Sequence, residues 1–111
     1  QIEHIDAVNN IDEILKVDGI DGTIIGPYDL SGSMGYPGEF ERVNVKKAIQ
    51  TVIEKCKEHN TPSGFHVVDT NPEKIQSKID IGCTFLAYGI DYLFLRDSVM
   101  SGMNKLKKNL R

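Results

Sequence analysis

The sequence has 111 residues, of which 40% are hydrophobic and 26% are charged, and its formal net charge is −3. This length suits one domain or part of one, with enough apolar residues to form a core. Domains that bind nucleic acid carry a basic face, so a mildly acidic chain with interspersed charges argues against that partner. No apolar run approaches the ~20 residues of a membrane span, and the first residues lack the pattern of a signal peptide, so we expect no membrane partner.

Taken in chain order, the hydrophobic pattern predicts helices and strands that alternate. Residues 5–16 have an apolar stripe at helical spacing, and the short β-branched run 23–26 is typical of a buried strand. A loop rich in Gly and Ser is expected next. A helix of about five turns then begins at Val45 and ends near Asn60.

The second half of the chain continues the alternation. Residues 63–68 and 84–91 are predicted strands. Between them we expect a helix that is capped by Asn71, has Pro72 in its first position and is stopped by Gly82. The apolar stripe of a final helix is formed by Leu95, Val99, Met103, Leu106 and Leu110.

The cysteines Cys56 and Cys83 are the only two in the sequence. Their spacing matches no metal-binding or redox motif, and both have apolar neighbours. We therefore expect two buried, reduced thiols in a cytoplasmic protein rather than a disulfide.

The order of strand and helix, repeated three times after a possible strand stub at residues 1–3, predicts an α/β fold with a parallel sheet and crossover helices. An open doubly wound sheet and a (β/α)₈ TIM barrel both have this order. A whole barrel needs ~250 residues, so the chain can hold only part of one. Because it begins at Gln1 without an initiator Met, we favour the C-terminal half of a barrel, with residues 1–111 as a single partial domain.

Two carboxylates, Glu3 and Asp29, fall where predicted strands end. Active-site groups of parallel α/β folds gather at that edge of the sheet. Mg²⁺ typically binds one or two protein carboxylates and leaves its other positions to substrate and water. On spacing alone, the simpler interpretation is that Asp29 caps the turn after it and that Glu3 is a surface acid.

The residues themselves favour the metal site. The segment "QIE" at 1–3 and the later segment "GPYDLSGSMG" at 26–35 together resemble the HpcH/HpaI aldolase family, and the resemblance extends through essentially the whole chain. It covers only the second half of that family's barrel. The resemblance implies a class II, metal-dependent carbon–carbon lyase. Such an enzyme cleaves a 4-hydroxy-2-oxo acid to pyruvate and an aldehyde through a metal-stabilised pyruvate enolate. It also implies a homo-oligomer.

The resemblance assigns roles to individual residues. Glu3 and Asp29 would be ligands of a divalent metal ion, Mg²⁺, Mn²⁺ or Co²⁺, and Asp29 would not act as a base. Gln1 would lie beside the keto-acid end of the substrate, and the backbone N–H groups of Tyr28 and Asp29 would hold the carboxylate of pyruvate. The segment Ser31-Gly32-Ser33 is expected to leave room for close approach.

The histidines limit this assignment. None of His4, His59 and His66 matches the family's catalytic base, so we expect no catalytic base in this half; the base and an Arg belong to the other half. His66 stands where better-known members carry Leu or Ile, at the end of a strand, and is a candidate for contact with the aldehyde part of the substrate. A structural role for this histidine is the alternative.

Other interpretations stay open from the sequence. Asp91 directly precedes the last helix, where capping is a simpler role than that of a third metal ligand. The same metal site could serve an acyl-CoA lyase like the citrate-lyase β proteins, although the strand ends show no basic residues for the phosphates of CoA. A non-catalytic half barrel that serves as an interaction module is the remaining alternative.

Overall fold

The structure, a computed structural model, describes residues 1–109. The elements in chain order are α1 (Ile5–Asn9), α2 (Ile11–Leu15), β1 (Thr23–Ile25), α3 (Pro27–Ser33), α4 (Val43–Glu58), β2 (Ser63–Val67), α5 (Pro72–Asp80), β3 (Phe85–Tyr88) and α6 (Asp91–Asn109). The three strands form one parallel sheet in the order β1-β2-β3. The predicted alternation of strands and helices is therefore present.

The first three residues run beside β1. Ile2 forms a parallel bridge with Ile25, its N–H donates to Ile24 O at 2.8 Å, and its carbonyl accepts the N–H of Gly26 at 3.1 Å. These bonds extend the parallel pairing of the sheet by one step beyond β1. The strand stub predicted at residues 1–3 thus lies next to β1, and Glu3 follows it directly.

One face of the sheet is covered by helices and the other is open. Thr23 of β1 meets Cys56 of α4, with 3.2 Å between Oγ1 and Sγ, and the Phe65 ring of β2 lies under the ammonium of Lys78 of α5. Alternate residues such as Phe85, which is 55% exposed, lie on the opposite face. A closed barrel covers this inner face, so the open face is what part of a barrel should show.

The buried apolar residues form one core on the covered face. They are Ile2, Val8, Ile11, Leu15, Ile25, Leu30, Val45, Ala48, Ile49, Val52, Ile53, Cys56, Phe65, Val67 and Cys83. Both cysteines are free and buried. Burial raises the pKa of both thiols, as expected for inert, reduced side chains.

The first predicted helix is in fact two. α1 ends at Asn9 and α2 begins at Ile11, with Asn10 outside helical geometry between them. The Asn10 side chain donates to Asp6 O at 2.8 Å, the carbonyl that its own backbone N–H also uses at 3.0 Å. Asn side chains that bond to nearby backbone in this way compete with helix propagation, which explains the break.

The predicted Gly/Ser loop was wrong over its first part, which forms α3. Pro27 presets helical φ in the first position. Ser31 Oγ donates to Tyr28 O at 2.9 Å and accepts Gly38 N–H at 3.0 Å, while Ser33 Oγ donates to Leu30 O and accepts Ile5 N–H. The serines therefore anchor the helix to its surroundings, and the room for close approach expected of this segment stays a prediction.

The later elements follow the prediction with shorter bounds. The Asn71 side chain accepts the N–H of Glu73 at 3.0 Å as the cap of α5. The third strand is limited to 85–88, because Gly89 has a φ of 67° that extended strand residues do not adopt. The predicted stripe of α6 is exposed from Leu95 to Leu106, and its last member, Leu110, lies outside the described residues.

Among residues 1–109, no helix combines the length and apolar character needed to cross a membrane.

Candidate active site

The predicted site residues lie at one edge of the sheet, where its parallel strands end. Glu3 directly follows the residue that bridges to β1, and Asp29 lies in the first turn of α3, which follows β1. His66 is the fourth residue of the neighbouring strand β2. In parallel α/β barrels this edge carries the active site, so the topology brings the predicted residues to the expected place.

The Glu3 side chain lies across Gly26. A Cβ placed on Gly26 would stand 2.6 Å from Glu3 Oε1 and 2.8 Å from Glu3 Cγ, closer than any side chain tolerates. Gln1 Nε2 donates to the same Oε1 at 2.5 Å. The glycine therefore provides the space for this carboxylate, and Gln1 orients it.

α3 begins beside this carboxylate. Gly26 is its extended N-cap, and Pro27 holds the first helical position. The N–H of Leu30 makes the first helical bond, to Gly26 O at 3.0 Å. The N–H groups of Tyr28 and Asp29 precede it, in the turn whose donors have no acceptor inside the helix. The Asp29 side chain is exposed.

These donors fit a hard divalent cation. Glu3 lies against the residue that caps α3, and Asp29 lies on the first turn of that helix. Two carboxylates supply the oxygen ligands that Mg²⁺ and Mn²⁺ prefer and leave several coordination positions for substrate and water. Within residues 1–109, no three His, Cys, Asp or Glu side chains form a metal-binding group. The assignment of Glu3 and Asp29 as metal ligands stays a prediction.

His66 is half-buried, and its Nε2 lies 3.2 Å from the carbonyl oxygen of Gly89, just after β3. It pairs in register with Ala87. The bond fixes the ring against the backbone, which is how a structural histidine is satisfied. A ring that is fixed at this edge is also suited to touch a ligand, and contact with substrate stays a prediction.

A polar cavity that the sequence did not indicate lies above the carboxyl end of β2. Its volume is about 280 Å³, and its lining includes Tyr28, Asp69, Thr70, Tyr92, Arg96 and Asp97. One wall comes from α3, which follows β1, and another from α6, which follows β3. The cavity is therefore at the same edge as Glu3 and Asp29. The only hint of the cavity in the sequence is that Asp69 and Thr70 directly follow the predicted strand 63–68.

Thr70 joins the walls of this cavity. Its hydroxyl donates to Asp97 Oδ2, and its carbonyl accepts the Tyr88 hydroxyl at 2.5 Å. Arg96 contacts Asp97 Oδ1 through Nε and Nη2, both at 2.8 Å. The bonds from Thr70 and Arg96 hold the pKa of Asp97 below its usual value, so the carboxylate is charged at neutral pH.

His4, His59 and Asp91 make contacts at the ends of helices. His4 Nδ1 accepts the Asp6 N–H at 3.2 Å at the start of α1, and His59 Nε2 lies 3.0 Å from Asp12 Oδ1 between α4 and α2. Asp91 is the first residue of α6, and its Oδ1 accepts the Tyr92 N–H at 2.7 Å. Asp91 therefore lies inside the first turn of α6 rather than before it as the predicted cap, although its carboxylate does accept a backbone N–H of that turn.

The family model of HpcH/HpaI aldolase/citrate lyase matches residues 1–98. The chain belongs to the HpcH/HpaI aldolase/citrate lyase family. Over 99 residues it is 38% identical to a 2-keto-3-deoxy-L-rhamnonate aldolase of Escherichia coli K12, an alignment that covers 89% of this chain and 36% of that protein. The family resemblance inferred from "QIE" and "GPYDLSGSMG" is confirmed.

Solved structures of the HpcH/HpaI family share the fold. An HpcH/HpaI aldolase from Desulfitobacterium hafniense DCB-2 superposes with a TM-score of 0.87 at 31% identity, over 96% of this chain and 41% of that one. The citrate synthase SbnG superposes with a TM-score of 0.83 at 24% identity, over 97% of this chain and 43% of that one, which shows the fold alone. This HpcH/HpaI chain is therefore part of a (β/α)₈-type barrel, as predicted, and spans well under half of these relatives.

Proposed function

We propose that the complete protein carrying this chain is a divalent-metal-dependent aldolase that cleaves a 4-hydroxy-2-oxo acid to pyruvate and an aldehyde. The observation that carries this proposal is the Glu3 carboxylate lying across Gly26, the cap of the helix that bears Asp29. Membership of an aldolase/citrate lyase family supports it. The name of the E. coli relative, a 2-keto-3-deoxy-L-rhamnonate aldolase, supports a 2-oxo acid substrate.

Each residue has a role in this proposal. Glu3 and Asp29 hold Mg²⁺, Mn²⁺ or Co²⁺, and Gln1 orients Glu3 through its 2.5 Å bond. When bound, the ion supplies Lewis acidity that stabilises negative charge on the 2-oxo oxygen. The N–H groups of Tyr28 and Asp29 bind the carboxylate of the pyruvyl part, and His66 contacts the aldehyde part.

The cleavage breaks the bond between C3 and C4. The 4-hydroxyl gives its proton to a base and becomes the aldehyde, and C3 then takes a proton to become the methyl group of pyruvate. The resemblance assigns the base and an Arg to a part of the barrel that this chain does not contain. The residues described above therefore bind and orient the pyruvyl part, and the complete site needs the rest of the barrel.

The first prediction tests the metal ligands. Asp29→Asn in the complete protein removes a negative oxygen ligand, so we expect pyruvate release to fall on the order of 100-fold or more. EDTA should abolish the activity of the unchanged protein, and added Mg²⁺ or Mn²⁺ should restore it. Metal affinity, measured by calorimetry, should fall with activity in the variant.

Asp6→Asn is the matched control, because Asp6 is also an exposed acid in the first turn of a short helix. It should keep normal turnover. Near-normal turnover of Asp29→Asn at saturating metal would show that the ligand assignment is wrong. Cleavage of acyl-CoA thioesters instead of 2-oxo acids would support the citrate-lyase alternative, and a complete protein without either activity would support an interaction module.

A further inference from the structure

The cavity above β2, which is about 280 Å³ and is lined by Thr70, Arg96 and Asp97 among others, is the polar recess next to the proposed pyruvate site. The two regions share Tyr28. Its N–H is assigned to the pyruvate carboxylate, and the residue also lines the cavity. β2 also pairs directly with β1, whose end carries the metal-binding acids. When the pyruvyl part of the substrate is bound at the end of β1, this cavity lies beside it. The cavity can then hold the aldehyde part, which is released by the cleavage.

The charges that line the cavity disfavour a second anion. Asp69 and Asp97 contribute two carboxylates, and Arg96 contributes one guanidinium that already contacts Asp97 at 2.8 Å. A ligand carboxylate would enter next to two negative groups and find the one cation engaged. Like charges repel each other, so a ligand carboxylate should bind here more weakly than an uncharged group.

The same lining favours hydroxyl groups. The hydroxyl-bearing residues Tyr28, Thr70 and Tyr92 line the cavity, and the two carboxylates can accept further hydrogen bonds beyond those that they already make. Hydroxyl groups of a ligand can donate to carboxylates and accept from phenols, so a short hydroxylated chain can satisfy both kinds of group. An apolar chain would leave these polar groups desolvated without partners.

We propose that the cavity above β2 is the subsite for the end of the aldehyde part that lies beyond the contact assigned to His66, and that it selects an uncharged, hydroxyl-bearing chain over one that ends in a carboxylate. Thr70 is its positioning residue, because it bonds to Asp97 of α6 through its hydroxyl and to Tyr88 of β3 through its carbonyl. The inference rests on the proposed aldolase function.

Three assays on the complete protein separate the two proposals. Exchange of the pyruvate methyl protons in D₂O, followed by NMR, reports the pyruvate site alone. Aldol addition of pyruvate to glyceraldehyde tests an uncharged, hydroxylated aldehyde, and addition to succinic semialdehyde tests a carboxylate-bearing one. We expect metal-dependent exchange, and a kcat/KM at least about tenfold higher for glyceraldehyde.

Variants then test the residues. Asp97→Asn removes one negative charge at constant size, so the preference for glyceraldehyde over succinic semialdehyde should narrow about threefold or more. Thr70→Val removes the hydroxyl at constant shape and should raise the KM for glyceraldehyde about tenfold, well beyond its effect on proton exchange. Thr70→Ser keeps the hydroxyl and should restore the KM. Thr51→Val is the matched control, because Thr51 bonds only within α4, to Lys47 O.

The outcomes are distinct. Failure of the unchanged protein to exchange pyruvate protons overturns the proposed function. Normal exchange with a preference for succinic semialdehyde, or with no preference, leaves that function standing and overturns the subsite. Equal losses of exchange and addition in Thr70→Val, or a KM that Thr70→Ser does not restore, overturn the positioning role of Thr70.

Discussion

Gly26 is the residue on which the proposed metal site most directly depends. Its φ of −94° is accessible to any residue, so the glycine is not required by the backbone. It is required by the neighbouring side chain, since a Cβ would stand 2.6 Å from Glu3 Oε1. The Glu3 side chain is flexible and can move away, so a substitution should displace the carboxylate without disrupting the fold.

We therefore predict that Gly26→Ala in the complete protein weakens divalent metal binding about 10- to 100-fold, as displacement of a ligand by its surroundings typically does. The midpoint of thermal unfolding without metal should change little. Calorimetric titration with Mn²⁺ and a thermal melt measure the two quantities.

Gly32→Ala provides the control, because Gly32 lies in α3 with nothing within 4 Å of an added Cβ. It should bind metal normally and gain slight stability, since Ala favours helix over Gly. Equal metal affinity in both variants would show that Glu3 is not held at a ligand position.

His66 allows a second prediction at this scale. If its ring contacts the aldehyde part, His66→Leu should change the ratio of kcat/KM between aldehydes by about tenfold, while the rate of pyruvate proton exchange stays within about twofold. Both rates falling together would indicate that the bond of His66 to Gly89 O serves the fold alone.

The residues of the site differ in how far the sequence could reveal them. Glu3 and Asp29 were predicted because each lies at the end of a recognisable strand, and the family motif contains both. Thr70 and Asp97 were missed because they are 27 residues apart and meet only when α6 turns back over β2. Their side chains are common on surfaces, so only three-dimensional proximity shows that they act together.

Among the elements, α3 shows why local composition misled. Its sequence contains Pro, Gly and two Ser, all poor helix formers in an interior position. Pro27 is harmless in the first turn, Leu30 and Ser31 are fully buried, and the serine hydroxyls bond to helix carbonyls. Tertiary packing and these bonds outweigh propensity. The longer helix α4 was predicted within two residues because its apolar stripe repeats over four turns.

The contact between α2 and α4 makes stability depend on pH. Asp12 of α2 lies 3.0 Å from His59 Nε2 and 3.2 Å from Lys55 Nζ, both at the end of α4. His59 and then Lys55 lower the pKa of Asp12 below its usual 3.8. A carboxylate with a lowered folded-state pKa contributes stability above its unfolded pKa and loses it as the pH falls through the folded value.

We predict that the difference in urea midpoint between the unchanged protein and Asp12→Asn is constant above about pH 5 and disappears as the pH falls below about 4. Glu13→Gln is the control, since the exposed pair of Glu13 with Lys16 joins no two elements. Its midpoint should follow that of the unchanged protein at every pH. A difference for Asp12→Asn that persists undiminished at low pH would contradict the assignment of this ion pair.

At the scale of the whole molecule, the described chain is elongated. It measures 61 × 28 × 21 Å, and its radius of gyration is 17.1 Å, whereas a compact domain of this length has about 13 Å. α6 exposes large apolar residues along its length: Tyr92, Leu95, Val99, Met100, Met103 and Leu106. The uncovered face of the sheet exposes Phe85 as well. Surfaces of this kind are covered in stable proteins by other parts of the chain or by other subunits.

The periodicity of α6 was predictable from the sequence, but its exposure was not. An apolar stripe indicates that one face of a helix packs against other apolar residues. The sequence does not say whether those residues belong to the same chain or to another subunit. Leu95, Val99 and Met103 face solvent because no element among residues 1–109 packs on them. The parallel sheet was predictable from the order of strands and helices. An open doubly wound sheet has the same order, so the choice of a barrel also needed the family resemblance.

These exposed surfaces lead to a prediction for the 111 residues expressed alone. The three-stranded sheet formed by residues 1–109 is not closed, and residues 1–3 hold Glu3 beside β1 through the bridge from Ile2 to Ile25. We expect the isolated chain to associate, or to remain loosely folded, and to release no pyruvate from 4-hydroxy-2-oxo acids. Size-exclusion chromatography with light scattering, together with a pyruvate-release assay, measures both properties.

Leu95→Lys combined with Met103→Lys should reduce the association, since both residues lie on the exposed stripe. Lys105→Glu combined with Lys108→Glu on the same helix is the control and should not reduce it. A well-folded, active monomer would contradict this view, because its base would then have to be His4, His59 or His66.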